Sequence, residues 1–222
     1  MGKISKVRLL IQAAFTALSN GYVKGFVHGK IYQGDLKYVC VPGMNCYSCP
    51  GAIGSCPLGS LQMALVSSKY KFPYYVLGIL LLFGVVLGRV VCGFLCPFGL
   101  FQELLYKIPT RKIRKNKWTR KLSMLKYVIL LVFVVVMPIV AMAPGFCKYI
   151  CPAGTLEAGV ILVSMNESLQ ALIGGLFWWK ILLLIIVIGT AVFIFRSFCR
   201  FICPLGAFYA FFHKVSVVGM KV

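Results

Sequence analysis

The chain has 222 residues, of which 60% are hydrophobic, and its mean hydropathy is +0.91. Only about half of the residues of an ordinary soluble domain are apolar, so this composition excludes that class. The net charge is +20, because 24 lysines and arginines face only four acidic residues. These charges follow the ends of hydrophobic segments, which favours a protein surrounded by membrane lipid and argues against a nucleic-acid partner.

Four hydrophobic segments approach the length of a transmembrane helix, which needs about 20 mostly apolar residues. They are residues 7–27, 73–91, 125–143 and 178–195. The first is interrupted by Asn20 and Lys24, so a re-entrant or interfacial segment is the alternative for it. The predicted fold is an all-α integral membrane protein with about four transmembrane helices.

The motif Cys-x-x-x-Cys-Pro-x-Gly occurs three times, beginning at Cys92, Cys147 and Cys199. A partial copy, Cys56-Pro57-Leu58-Gly59, comes earlier and has three more cysteines close upstream. Together these stretches contain all ten cysteines of the chain: Cys40, Cys46, Cys49, Cys56, Cys92, Cys96, Cys147, Cys151, Cys199 and Cys203.

The spacing of this motif indicates metal ligation. Cysteines four residues apart on a helical turn point to the same side. The proline ends that turn and suits the first position of a new helix, so we expect a short amphipathic or re-entrant helix after each Cys-Pro pair. Unpaired N–H groups at a helix start favour thiolate and an anionic cluster. A cysteine followed by proline is also the last ligand in bacterial ferredoxin motifs, so iron–sulfur ligation is the predicted chemistry.

A basic segment sets the predicted topology. Residues 107–126 are rich in lysine and arginine, which by the positive-inside rule puts them in the cytoplasm. The chain is then one multi-pass domain of the cytoplasmic (inner) membrane. It contains two parallel pseudo-repeats, residues 1–106 and 125–217, on either side of the basic segment.

This topology divides the cysteines into two sets. One set converges on the cytoplasmic side, where four thiolates would bind one [4Fe–4S] cluster: Cys92, Cys96, Cys199 and Cys203. The other set faces the opposite side: Cys40, Cys46, Cys49, Cys56, Cys147 and Cys151. These six could bind one cluster with two cysteines to spare, or two clusters with another ligand, so two or three clusters are expected in total. Zinc or structural disulfides are alternatives for residues 40–56.

With these motifs the chain resembles the polyferredoxin-type membrane iron–sulfur proteins. Similar proteins are the quinol-oxidising membrane subunit of periplasmic nitrate reductase systems and the membrane polyferredoxin part of the nitrous-oxide reductase accessory protein. The resemblance covers about residues 37–214 and rests on the repeated Cys-x-x-x-Cys-Pro motif and on the cysteine-rich loop from Asn45 to Gln62. It implies transmembrane electron transfer through [4Fe–4S] clusters.

The predicted function is electron transfer between a cytoplasmic carrier or quinol and an extracytoplasmic redox partner. The positive charge favours an acidic carrier, such as a ferredoxin or flavodoxin, and the acceptor would be a flavoprotein or reductase. Quinone or flavin would come with these partners, and low-potential clusters would suit an anaerobic cell. The alternatives are an assembly or maturation factor that supplies electrons or metal to a redox enzyme, and a thiol–disulfide membrane oxidoreductase. The sequence shows no catalytic triad, phosphate-binding loop or carboxylate pair, so we predict no substrate site.

Overall fold

The computed structural model describes residues 3–67, 73–112, 117–212 and 215–218, which are mainly helical. A 3₁₀ turn covers Asp35–Tyr38, and one parallel bridge pairs Cys40 with Ser55. The helices run over Lys3–Ser19, Val23–His28, Pro57–Ser67, Tyr74–Val86, Val90–Phe94, Pro97–Tyr106, Lys117–Leu122, Leu125–Val140, Gly145–Tyr149, Pro152–Met165, Glu167–Gln170, Gly175–Phe193, Ser197–Phe201 and Pro204–Phe212.

The prediction of four transmembrane helices is wrong. Within the described ranges, Gly175–Phe193 is the one helix that has both the length and the apolar composition to cross a bilayer. The helices in the other predicted spans are shorter. Tyr74–Val86 has 13 residues, and at 1.5 Å per residue it covers about 20 Å, less than the hydrocarbon core of about 30 Å.

Turns in the backbone shorten these apolar segments. The first predicted span ends its helix at Ser19, before the separate helix Val23–His28. After Tyr74–Val86 the chain turns at Gly88, whose φ of 49° is a left-handed value that glycine adopts without steric cost. After Leu125–Val140 the chain turns at Met142, with φ of 48°. In each case the turn ends the helix before it reaches the length of a transmembrane span.

The predicted helix starts at the Cys-Pro pairs are confirmed. Helices begin at Pro57, Pro97, Pro152 and Pro204. The preceding cysteine is extended, with φ −98° and ψ 113° at Cys96, because the proline ring disfavours helical backbone in the residue before it. Each second cysteine therefore lies between two helices, beside the open N–H groups of the second one.

Aromatic side chains fill the core where the Cys-Pro motifs meet. Phe98, Phe146, Phe198 and Tyr209 are fully buried. The rings of Phe98 and Phe198 meet edge to face, with centroids 5.1 Å apart. This contact holds the motif that begins at Cys92 beside the motif that begins at Cys199. The division into two pseudo-repeats remains a prediction, and residues 113–116 of the basic segment lie outside the described ranges.

Candidate metal centres

Eight of the ten cysteines lie in two groups of four. The first sulfur group consists of Cys92, Cys96, Cys199 and Cys203. Burial raises the pKa of Cys199 to about 12, and the nearby Cys96 adds to that rise. Burial also raises the pKa of Cys203, with further contributions from Cys199 and Cys92. Two motifs that are more than 100 residues apart in the sequence therefore contribute two sulfurs each to one site.

Hydrogen bonds from the N-terminal helix and from Arg196 hold the backbone of this group. The Nε2 of Gln12 donates to the carbonyl oxygen of Cys96 at 2.7 Å. Arg196 donates to the carbonyl oxygen of Cys92 at 2.6 Å, and its own φ of 49° is left-handed. Such a conformation is costly for a residue with a side chain, and the contacts made by the guanidinium offset that cost.

The second sulfur group consists of Cys46, Cys56, Cys147 and Cys151, which line one cavity of about 370 Å³. Burial raises the pKa of Cys147 to about 12, and Cys56 and Cys46 add to the rise. The motif glycine is part of this cavity: a β-carbon built at Gly154 would lie 3.5 Å from the Cys46 Sγ and 3.8 Å from the Cys151 Sγ. The glycine of the motif therefore leaves space beside the sulfurs, where a larger side chain would project into the site.

Cys40 and Cys49 lie outside both groups. Cys40 sits in the bridge to Ser55, and the Ser60 hydroxyl faces its buried thiol. The Cys49 Sγ is 3.8 Å from the Oδ1 of Asn20. The Cys46-x-x-Cys49 pair is therefore divided, with Cys46 facing the cavity and Cys49 facing the end of the N-terminal helix. All ten cysteines are free thiols in the structure.

The two groups fit a cluster. Burial opposes the ionisation of these thiols, so four neighbouring thiolates need bound positive charge. Within the described ranges, no three cysteine, histidine or acidic side chains converge tightly enough to hold a single metal ion. A [4Fe–4S] cluster needs its four thiolates farther apart than a single metal ion does, because each of its four irons binds one of them. The sequence predicted all ten cysteines as candidate cluster ligands, and that assignment remains a prediction.

Basic side chains surround an opening of about 1080 Å³ beside Cys92 and Cys199. The basic residues in its walls are Arg89, Lys112, Lys126, Arg196 and Arg200. Lys126 is only 9% exposed, so water screens the attraction between its ammonium group and the neighbouring sulfurs only weakly. At the second group, the Nζ of Lys180 donates to the carbonyl oxygen of Cys147 at 3.3 Å. These cations would offset the negative charge of a thiolate-bound cluster.

Polar side chains six residues after each Cys-Pro cysteine were not assigned to the cysteine sites from the sequence. These residues are Gln62, Gln102, Glu157 and Tyr209. Glu157 accepts a hydrogen bond from the N–H of Cys46 at 2.8 Å, and the Tyr209 hydroxyl donates to the carbonyl oxygen of Pro42 at 2.9 Å. The constant offset from the cysteine was the signal in the sequence that could have identified them.

The family described as "4Fe-4S binding domain" matches the chain over residues 72–116, 125–168 and 176–221. Each match contains one complete Cys-x-x-x-Cys-Pro motif, and together the matches cover more than half of the chain. No solved structure gives a significant match.

Three curated relatives have similar sequences. The chain is 32% identical over 135 residues to the uncharacterized protein MJ0750 of Methanocaldococcus jannaschii, covering 58% of this chain and 50% of that protein. It is 31% identical over 128 residues to the regulatory protein NosR of Pseudomonas aeruginosa, covering 54% and 16%. It is 30% identical over 139 residues to the protein NirI of Paracoccus denitrificans, covering 59% and 18%. The chain thus spans half the length of MJ0750 and less than a fifth of the other two. The three family matches, each with its cysteine motif in one of the two sulfur groups, show that the chain belongs to the 4Fe-4S binding domain family, with the [4Fe–4S] cluster as its cofactor.

Proposed function

We propose that the chain holds one [4Fe–4S] cluster at each sulfur group and carries electrons across the membrane, between a cytoplasmic donor and a redox partner on the other side. A bound [4Fe–4S] cluster supplies the one-electron chemistry. The observation that carries the proposal is the short separation of the two groups along residues 42–46.

Residues 42–46 run from the first sulfur group to the second. A β-carbon built at Gly43 would overlap the Leu95 carbonyl oxygen and lie 3.0 Å from the Cys96 α-carbon. Three residues later, Cys46 belongs to the second group. Consecutive α-carbons are about 3.8 Å apart, so only a few peptide units separate the groups. Since electron tunnelling slows steeply with distance, this separation favours rapid exchange and avoids one step across the hydrocarbon core of about 30 Å.

The backbone N–H groups of two consecutive residues, Met44 and Asn45, face different sulfur groups. Burial raises the pKa of Cys96, and the N–H of Met44 partly offsets that rise. Burial raises the pKa of Cys56 to about 11, and the N–H of Asn45 is among the groups that offset it. A sulfur beside each of two neighbouring N–H groups puts Cys96 and Cys56 within about 12 Å of each other. Tyr209 lies in the same gap, because its hydroxyl donates to the Pro42 carbonyl oxygen.

The Gly175–Phe193 helix supports a membrane location. Its apolar side chains Leu182, Ile185 and Ile186 are at least half exposed, as suits contact with lipid. We propose that this helix crosses the cytoplasmic membrane and that the shorter apolar helices pack beside it. Lys112 donates to the Val192 carbonyl oxygen at 2.9 Å, so the basic segment meets the C-terminal end of the helix. The positive-inside rule then assigns that end to the cytoplasm.

The basic opening beside Cys92 and Cys199 supports an acidic electron donor. A ferredoxin or flavodoxin would be attracted by the cations in its walls and would come close to the first sulfur group. Lys180 contacts the second group from near the start of the Gly175–Phe193 helix, away from the proposed cytoplasmic end. We therefore propose that a flavoprotein or reductase on the other side exchanges electrons with the second group.

Iron and acid-labile sulfide per chain, measured on protein purified without oxygen, test the cluster assignment. We expect about eight of each, and magnetically interacting signals in the electron paramagnetic resonance (EPR) spectrum of the dithionite-reduced protein. Cys199→Ser should lose about four irons and leave an isolated signal from the second group, while Cys147→Ser should do the reverse. Protein that binds zinc, or forms disulfides and binds no iron, would contradict the proposal.

Transfer across the membrane needs a separate test. The protein is reconstituted in lipid vesicles that contain ferricyanide, and dithionite is added outside. Bleaching of the trapped ferricyanide should require the wild-type protein and should disappear in both serine variants. Full iron content without any bleaching would disprove the transmembrane route and leave the cluster assignment intact.

A further inference from the structure

Two glutamines occupy equivalent positions in the two sulfur groups. Gln62 follows Cys56 by six residues, and Gln102 follows Cys96 by six residues. Neither side chain has any exposed surface. Burying a carboxamide is costly unless its polar atoms all find partners, so the contacts of these two residues indicate what they do.

Each glutamine donates to a cysteine sulfur of the opposite motif. The Nε2 of Gln62 donates to the Cys147 Sγ at 3.4 Å. The Nε2 of Gln102 donates to the Cys199 Sγ at 3.1 Å. In both groups the sulfur that receives the N–H belongs to the first cysteine of a Cys-x-x-x-Cys-Pro motif. The contact thus recurs once per group.

The backbone fixes the orientation of both carboxamides. The Oε1 of Gln62 accepts from the N–H of Phe146 at 3.0 Å, and the Oε1 of Gln102 accepts from the N–H of Phe198 at 3.1 Å. Only an oxygen can accept there, so the nitrogen must face the sulfur. The second hydrogen of each Nε2 goes to a carbonyl oxygen one turn earlier, Leu58 or Phe98, at 3.4 Å.

The same position differs after the other two Cys-Pro pairs. Glu157 accepts from a backbone N–H, and Tyr209 donates to a backbone carbonyl oxygen, as described above. In the described part of the chain, Cys147 and Cys199 are thus the members of the two groups whose sulfurs receive a side-chain amide hydrogen bond. If these two glutamines only linked the two halves of the core, neither would need its amide nitrogen at a sulfur.

We infer that Gln62 and Gln102 are positioning residues that set the reduction potentials of the two clusters, each by donating an N–H to one ligand sulfur. This inference rests on the proposed function, since it needs a cluster at each group. Reduction adds one electron, supplied by a reductant such as dithionite, and makes the cluster more negative. An N–H···S bond strengthens as the sulfur gains charge, so it stabilises the reduced form and raises the potential.

Two substitutions at each position separate the N–H from the bridging contact. Gln→Glu keeps the oxygen that accepts from Phe146 or Phe198 and replaces the amide donor with a carboxylate, which donates no hydrogen bond and whose negative charge also lowers the potential. Gln→Leu removes both. Gln170 is exposed and donates to the Val163 carbonyl oxygen, so Gln170→Leu provides the control. The readouts are iron content and a potential titration followed by EPR.

We expect Gln102→Glu and Gln102→Leu to keep about eight irons and to lower the reduced fraction of the first cluster about tenfold at fixed potential, a shift of about 59 mV for one electron. The Gln62 variants should shift the second cluster by a similar amount and leave the first unchanged. Gln170→Leu should shift neither.

Unchanged potentials in iron-replete Glu variants would overturn the inference, as would loss of iron in Leu variants alone with normal potentials in Glu variants. Wild-type protein without clusters would overturn the inference together with the proposed function, whereas clusters that fail to transfer electrons across vesicles would leave this titration readable.

Discussion

The Glu103 carboxylate lies 2.7 Å from the Arg196 guanidinium, in a contact that is almost closed to solvent. The same carboxylate is 2.6 Å from Arg8 on the N-terminal helix. Arg196 also donates to the carbonyl oxygen of Cys92. One buried negative charge therefore joins the N-terminal helix to both motifs of the first sulfur group.

Glu103→Gln should destabilise the protein, because it leaves two partly buried arginines without a counter-charge. Removal of one partner from a buried ion pair costs about 3–5 kcal/mol. Chemical unfolding in detergent, followed by circular dichroism, measures the change. The control is Glu167→Gln, since Glu167 is exposed. Equal stability of the two variants would contradict the role assigned to Glu103.

Gly43→Ala should disturb the connection between the two sulfur groups. The added β-carbon would overlap the Leu95 carbonyl oxygen, so residues 42–46 must move away from Cys96. Overpacking of this kind costs about 1–3 kcal/mol. We expect a lower unfolding midpoint and a weaker magnetic interaction between the two reduced clusters. The matched control is Gly78→Ala, because a β-carbon there meets nothing within 4 Å and the residue lies inside a helix. That control should be neutral or stabilising by up to about 1 kcal/mol.

The helix starts could be predicted from sequence because proline acts on its own neighbourhood. The ring of Pro97 fixes its own φ and restricts Cys96, whatever surrounds them. The number of membrane-spanning helices could not be predicted in this way. It depends on turns at Gly88 and Met142. Glycine permits a positive φ at position 88, but nothing in the apolar run marks Met142 as a turn.

The sequence also did not show which of the six cysteines outside the first group belong to the second sulfur group. Cys46 and Cys49 form a pair whose spacing suits either residue as a ligand. Their separation depends on Asn20, which lies 3.8 Å from the Cys49 sulfur, and on Glu157, which binds the N–H of Cys46. Both partners are distant in sequence, so only the folded chain distinguishes the two cysteines.

Cys46→Ser and Cys49→Ser should therefore behave differently. We expect Cys46→Ser to lose about four irons and the EPR signal of the second cluster. Cys49→Ser, the same change three residues away, should keep about eight irons, and so should Cys40→Ser. Iron and sulfide analysis of the three variants, purified together without oxygen, checks this. Loss of iron in Cys49→Ser would show that the ligand set of the second group is wrong.

The basic opening beside Cys92 and Cys199 makes a prediction about the rate of reduction by an acidic partner. Arg89 is exposed and lines this opening. Charge attraction steers encounter, so Arg89→Gln should slow second-order reduction by reduced ferredoxin at low salt, by roughly threefold. The difference from wild type should shrink at high salt, because exposed charges are then screened over a few ångströms. Stopped-flow absorbance at several ionic strengths measures both effects.

The control is Lys148→Gln, which removes an exposed cation beside the second sulfur group and should leave the rate unchanged. If the two variants lost the same rate with the same salt dependence, the attraction would come from the net charge of the whole chain and not from this opening.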